Sequence, residues 1–205
     1  MKYTVLVTIM GLIAGGSIIY HAATREVVVS IDGLVAGVSQ QTPPTSQPKL
    51  PEDVSIVPVY LDIARLGLSE VVIEHVGLDN KKRMDVPADP INVAWFEPGY
   101  RPGENGSAVL AGHFDLSDGS KGVFADIGDL ENGDTIEIFN ENGEKLTFQV
   151  VDTQVFLDAE FPIDLVFGES VTPRLNLITC AGTFDPITKN YSHRLVVFTE
   201  LVQES

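Results

Sequence analysis

Three residues with complementary chemistry stand where apolar runs of this chain give way to polar segments. Cys180, the only cysteine, follows the alternating run 175–179, His113 closes the run 107–112, and Arg194 opens another apolar run. A neutral imidazole can take the proton of a thiol, or an imidazolium can stabilise a thiolate, and a guanidinium can donate hydrogen bonds to an oxyanion. Together these groups suffice for acyl transfer through a thioester.

Each of these positions also has an ordinary structural interpretation. A lone cysteine is commonly a buried small hydrophobe. A histidine at a strand end is commonly structural, and an arginine at a strand start commonly pairs with a carboxylate at the surface. On spacing alone, both the catalytic and the structural interpretation stay open.

Short strand-like runs dominate the second part of the chain and predict an all-β fold. The residues between them include an Asn142-Gly143 hairpin signal, and residues 122–130 predict one or two helical turns. Many short strands at regular spacing predict a closed or nearly closed β-barrel. Strand ends can converge on one rim of such a barrel, which would bring the three residues together. The predicted strands are 57–63, 70–76, 92–96, 107–113, 135–139, 146–151, 175–180 and 194–199.

The beginning of the chain predicts a membrane anchor and a tether. Lys2 is followed by residues 3–20, which contain no charged side chain. An uncharged stretch of about 20 residues is long enough to cross a bilayer as a helix. We expect residues 1–24 to form a retained transmembrane signal anchor, the alternative being a cleaved signal peptide. Residues 25–53 end in a Ser-, Thr-, Gln- and Pro-rich linker, and residues 54–205 form the folded domain, placed outside the cell by Lys2.

Composition narrows the range of partners. The 205 residues have a hydrophobic fraction of 44% and a formal net charge of −16. The first value supports a packed core, and the second argues against nucleic-acid binding, which depends on Lys and Arg. No phosphate-binding glycine loop or zinc pattern is present, so we expect no cofactor and no metal.

The remaining candidates have simpler explanations. Strand alternation places His193 on the face opposite Arg194, where we interpret it as a surface residue. His75 lies within an early predicted strand and is interpreted as structural. Asp115 and Asp118 follow His113 in a polar loop, and turn formation explains them better than a cation site.

Three segments of the sequence resemble the motifs of a known family. Residues 103–115, 175–182 and 194–197 are similar to the histidine, cysteine and arginine motifs of the sortases, the membrane-anchored cysteine transpeptidases of bacterial surfaces. The resemblance extends from about residue 54 to residue 201. Its style is closest to the class E and F sortases, particularly in the Cys-Ala-Gly-x-Phe-Asp run that begins at Cys180.

The resemblance implies a role for each matching residue. Cys180 matches the nucleophile, His113 the general acid and base, and Arg194 the residue that stabilises the transition state. Thr179 matches a threonine that shapes the substrate groove, which makes it a substrate-binding candidate. Asn176 departs from the family pattern, which has a threonine there, and this leaves the details of substrate binding in question.

The implied fold is an eight-stranded sortase barrel with short helices, preceded by the transmembrane helix. The implied activity is cleavage of an LPxTG-like sorting signal and transfer of the protein to a cell-wall peptide or a pilin amine. This places the enzyme in the cell membrane with a single pass and an extracellular domain. A catalytically idle sortase-like binding domain and a cysteine peptidase that only hydrolyses are the alternatives.

Overall fold

The computed structural model describes residues 54–203, in which eight strands close into a barrel. Around the barrel the strands follow the order β1-β2-β3-β4-β7-β8-β6-β5. The β2–β3 and β4–β7 pairs are parallel, and the other pairs are antiparallel. The predicted eight-stranded barrel is therefore confirmed. The strands are β1 Tyr60–Ile63, β2 Leu68–Val76, β3 Val93–Phe96, β4 Gly106–Ala111, β5 Thr135–Phe139, β6 Lys145–Leu157, β7 Pro173–Asp185 and β8 Asn190–Leu201.

Strand β4 and the central parts of β7 and β8 are buried on both faces, which explains their nearly continuous apolar sequences. Leu110, Leu177 and Val197 point into the barrel and belong to its main core. Their neighbours on the outer face form a second cluster beneath the helix α1, Ile163–Phe167. Completely burying a leucine or valine side chain contributes roughly 1.5–3 kcal/mol, so these three strands form a rigid base. The second cluster consists of Val109, Val166, Ile178, Val196 and Phe198.

Glycines at positive φ make two of the connections between strands, and the second is the hairpin that the sequence predicted at Asn142-Gly143. Gly67 (φ 67°) ends the 3-10 turn Ala64–Leu66 and leads into β2. Gly143 (φ 77°) lies in the tight turn between β5 and β6. Both positions are in the left-handed region that glycine enters without steric cost.

The prediction that Cys180 ends a strand and Arg194 begins one is wrong. Strand β7 continues to Asp185, and β8 begins at Asn190, so both residues lie inside a long hairpin. The pairing shifts register between Ala181 and Phe184 and then resumes. Glycine within a strand often marks a bulge rather than its end, and Gly182 (φ 81°) lies in this irregularity.

Two other local predictions also need correction. Strand β4 ends at Ala111, two residues before His113, although the Gly112 N–H still donates to the Ile178 carbonyl at 3.1 Å. The helical turns predicted over 122–130 reduce to a 3-10 turn at Ile127–Asp129. The sequence reading also missed α1, whose five residues are too short to show a helical period.

The predicted anchor at 1–24 and linker at 25–53 lie outside the described residues. Within residues 54–203, no helix combines the length and the apolar character needed to span a bilayer.

Candidate active site

Strand register places Cys180 and Arg194 side by side on the outer face of the barrel, and β4 leads to His113 at the neighbouring position. Ala111 pairs with Ile178 in the parallel β4–β7 ladder, and Cys180 pairs with Arg194 in the β7–β8 ladder. His113 is two residues beyond Ala111, just as Cys180 is two residues beyond Ile178. Side chains two apart on a strand share a face, so Cys180 lies on the face of Ile178. His113, Cys180 and Arg194 thus occupy neighbouring positions on three adjacent chain segments, and these three positions are called the row below.

The row lies at the edge of an apolar surface. Adjacent strands are about 4.8 Å apart, so the row spans roughly 10 Å from its first to its last backbone. Ile178 lies two residues before Cys180, and Val196 lies two residues after Arg194. These two residues pair with each other and are buried in the outer cluster. The polar groups therefore lie next to well-packed apolar side chains. Binding sites usually combine an apolar lining with a few polar groups in this way.

Cys180 is partly buried, and its environment holds the proton on the thiol. Burial is the largest cause that raises the pKa of Cys180 above its usual value. The Arg194 charge lowers this pKa, whereas the carboxylates of Asp115 and Asp158 raise it. A thiol that is mostly neutral at pH 7 needs a base beside it to become a nucleophile, and His113 stays the predicted candidate for that base.

Arg194 is fixed through both of its terminal nitrogens. Its Nη1 donates to the carbonyls of His193 (2.9 Å) and Tyr191 (3.2 Å). Its Nη2 donates to Asn190 Oδ1 at 2.7 Å and pairs with Asp158 Oδ1 at 2.8 Å. The guanidinium plane is thus set by its own chain before any substrate binds.

The backbone around His113 is held on both sides. Thr179 Oγ1 donates to the Gly112 carbonyl at 2.9 Å, and the Phe124 N–H donates to the His113 carbonyl at 2.9 Å. Gly122 lies so close that a Cβ there would come within 2.8 Å of the His113 Cβ. The position of His113 therefore depends on a segment that packs directly against it.

Thr179 and Asn176 are both buried beside the candidate site, and each donates a hydrogen bond to a backbone carbonyl. Thr179 is buried (4% exposed) and its hydroxyl is directed to Gly112, so its predicted part in substrate binding stays a prediction. Asn176 is fully buried, and its Nδ2 donates to the Val166 carbonyl of α1 at 2.7 Å. Asn176, at the position where the family pattern has a threonine, thus connects β7 to α1 by a hydrogen bond.

The other candidates named from the sequence make structural contacts. His193 is half-buried rather than exposed, and its Nδ1 lies 2.7 Å from Ser192 Oγ. His75 Nε2 lies 3.0 Å from the Pro58 carbonyl, and its ring meets Trp95 edge-on. Asp118 accepts hydrogen bonds from Ser120, as expected of a turn.

Sequence reasoning missed the polar residues that support the row. Tyr191 donates to Asp115 across 76 positions, and Asn190 Nδ2 donates to Asp158 across 32. No local pattern signals contacts at such separations. A single sequence offered one clue, the position of Asn190 and Tyr191 just before Arg194.

Comparison with known proteins identifies the family. The family model described as Sortase domain matches residues 61–202, well over half of the chain. The chain therefore belongs to the sortase family. A comparison with curated proteins finds no match.

Solved sortase structures share the fold. Sortase A from Corynebacterium diphtheriae matches at 22% identity and a TM-score of 0.54, over 74% of this chain and 63% of that protein. Sortase C from Clostridium perfringens SM101 matches at 22% identity and a TM-score of 0.53, over 73% of this chain and 71% of that one. Sortase C-1 from Actinomyces oris matches at 25% identity and a TM-score of 0.54, over 73% of this chain and 75% of that one.

These matches come from sortases of types A and C, and the likeness to class E and F stays a prediction. The chain covers less than two thirds of the C. diphtheriae enzyme.

Proposed function

We propose that this protein is a cysteine transpeptidase that cleaves an LPxTG-like sorting signal and transfers the cleaved protein to an amine. The observation that carries the proposal is the row of His113, Cys180 and Arg194, in which β7 and β8 pair Cys180 with Arg194 and the end of β4 leads to His113. Membership of the sortase family supports the same conclusion.

In the proposed reaction, His113 takes the thiol proton and the Cys180 sulfur attacks the carbonyl of the threonine in the sorting signal. The Arg194 guanidinium stabilises the oxyanion of the tetrahedral intermediate. His113 then gives its proton to the departing glycine amine, and a thioester remains on Cys180. An acceptor amine attacks the thioester, His113 accepts its proton, and the thiol is regenerated.

The proposed setting rests on the uncharged stretch at residues 3–20 and on the net charge. Residues 1–24 would anchor the protein in the membrane, residues 25–53 would act as a tether, and residues 54–205 would work outside the cell. The acceptor would be a cell-wall peptide or a pilin amine. The net charge of −16 is unsuited to nucleic acid as a partner.

The test uses the full-length chain, purified in a mild non-ionic detergent because of its apolar N-terminal stretch. A quenched fluorescent peptide containing LPxTG is incubated with and without a glycine-based amine, and Cys180→Ala is run in parallel. We expect cleavage by the natural sequence, a ligated product when the amine is added, and only background with Cys180→Ala.

The three outcomes separate the hypotheses. Cleavage that requires Cys180 but gives no ligated product across several amines would favour a hydrolase. Absence of cleavage across a varied peptide set, together with a thiol that resists iodoacetamide, would overturn the proposal in favour of an idle binding domain.

A further inference from the structure

Tyr191 contacts both flanks of the candidate catalytic row. Its carbonyl accepts a hydrogen bond from Arg194 Nη1 at 3.2 Å, and its hydroxyl donates to Asp115 Oδ2 at 2.5 Å. Asp115 lies two residues after His113. One residue at the start of β8 is therefore joined to the guanidinium on one side and to the loop that carries the histidine on the other.

The ring of Tyr191 is held independently of its hydroxyl. Phe114 meets it edge-on at a centroid distance of 5.7 Å, and Phe184 packs against it at 5.2 Å. Phe114 belongs to the loop of His113, whereas Phe184 belongs to β7 beyond the bulge. The Phe114-Tyr191-Phe184 cluster therefore fastens the loop to the outer part of the β7–β8 hairpin.

We propose that Tyr191 and Asp115 form a positioning pair that fixes the His113 loop relative to the strand carrying Arg194. The inference rests on the proposed function, because it concerns the same site. Neither residue is given a chemical step. Their role is to set the distance between the base and the guanidinium across Cys180.

The other supports of the loop do not provide this connection. The Gly112 N–H donates to Ile178 of β7, and the carbonyls of His113 and Phe114 accept from Phe124 and Gly122 in the segment that follows. These bonds fix the loop to β7 and to its own continuation. Among the described residues, Tyr191 supplies the hydrogen bond and the ring contact that connect the loop to β8.

The pair also places a negative charge near the thiol. The charged and titratable groups that act on Cys180 are Arg194 on β8, Asp158 after β6, Asp115 on the loop, and Tyr191. The hydrogen bond to Asp115 is the main cause that raises the pKa of Tyr191 to about 12. The hydroxyl therefore stays protonated, and the bond stays intact, throughout the pH range in which the enzyme would work.

The first test removes only the hydroxyl, in the full-length chain. Tyr191→Phe keeps the ring contacts, and Tyr60→Phe, on the exposed surface of β1, is the matched control. Hydrogen exchange is measured at the Gly122 and Phe124 amides, which bond to the loop. We expect about five-fold faster exchange in Tyr191→Phe, the effect of losing one ordinary hydrogen bond, and no change in Tyr60→Phe. Equal exchange in the two variants would overturn the pair.

The second test separates the charge from the hydrogen bond. Asp115→Asn keeps an oxygen that can accept from Tyr191 but removes the negative charge, and Asp118→Asn in the same loop is the control. We expect the pH profile of Cys180 alkylation by iodoacetamide to move to lower pH in Asp115→Asn only, while amide exchange stays near that of the unmodified protein. A purely structural Asp115 would leave the profile unmoved, and that result would contradict the placement of its charge.

Neither readout requires a peptide substrate, so failure of the pair is distinguishable from failure of the proposed function. Where the cleavage assay succeeds, Tyr191→Phe should lower kcat by about five-fold with KM nearly unchanged, because positioning acts on the reacting groups rather than on substrate binding. A rise in KM with kcat unchanged would assign Tyr191 to substrate binding and overturn its role in positioning.

Discussion

At the scale of single residues, the guanidinium of Arg194 is oriented in advance by its own chain. Two backbone carbonyls hold Nη1, and the side chains of Asn190 and Asp158 hold Nη2. Among the described residues no partner contacts Nε, and in the proposed reaction that N–H would donate to the developing oxyanion. Donors that need no reorganisation during the reaction are the ones that lower a barrier most.

Asp158 is the residue whose removal tests this orientation. In Asp158→Asn the ion pair with Arg194 is lost, and we expect cleavage of the sorting peptide to fall about two- to five-fold, the range of a partly exposed ion pair. The Asp158 charge also raises the pKa of Cys180. Alkylation of Cys180 at about pH 8 should therefore become faster in the same variant.

The opposite signs of these two effects make the Asp158 experiment specific. Glu160→Gln is the matched control, because Glu160 belongs to the same 3-10 turn, Asp158–Glu160, and has no contact with Arg194 in the described chain. If Asp158→Asn slowed alkylation and cleavage equally, general damage to the site would be the better explanation.

At the scale of elements, alternation identified the strands correctly but misplaced their ends. The apolar pattern of β7 and β8 was readable because both strands pack against the core. The outer part of the hairpin, where Phe184 pairs with Tyr191 and Asp185 with Asn190, is polar and contains a glycine, so it looks like a loop. Its existence depends on cross-strand contacts that the sequence of one strand does not reveal.

Gly182 is the residue that permits this outer extension. Its φ of 81° is in the left-handed region, and a Cβ there would meet the side chains of Ser192 and His193. Gly143 has a similar φ of 77° with nothing within 4 Å of a Cβ. Comparing substitutions at these two glycines therefore separates the cost of the backbone conformation from the cost of a steric clash.

We expect Gly143→Ala to lower the free energy of unfolding by about 1–2 kcal/mol, the cost of the left-handed conformation, and to leave cleavage unchanged. Gly182→Ala should lower it further and should also reduce cleavage, because the bulge carries the hairpin that presents Asn190 and Tyr191. Urea unfolding followed by Trp95 fluorescence measures both, since Trp95 is the only tryptophan and is 2% exposed. Equal losses of unfolding free energy in Gly143→Ala and Gly182→Ala would show that the steric clash at residue 182 is relieved without moving the hairpin.

At the scale of the whole molecule, the barrel and the positions of the candidate row were predictable, whereas the supports of the row were not. Periodicity and turn residues define strands locally, and the resemblance of three short motifs assigns the reactive side chains. The strand order brings β4 beside β7 and β7 beside β8, and this places residues more than 60 positions apart in contact. Contacts such as the one between Tyr191 and Asp115 follow from that strand order, and no local sequence pattern indicates them.

Folding as a whole raises the pKa of the Cys180 thiol, mainly through burial, and this connects the site to the stability of the domain. A thiol whose folded pKa exceeds its unfolded value stabilises the protein below the unfolded pKa. That contribution is lost as the pH rises through the folded pKa. We therefore expect the free energy of unfolding of the natural sequence, relative to Cys180→Ala, to decrease as the pH rises from about 8 to about 10.

Urea unfolding of both proteins across that range, in reducing buffer and followed by Trp95 fluorescence, measures this difference. Cavity formation in Cys180→Ala shifts the difference by a constant and leaves its slope with pH intact. A slope of the opposite sign would mean that the folded protein favours the thiolate. The resting site would then be an ion pair of thiolate with imidazolium or guanidinium, and His113 would act first as an acid rather than as a base.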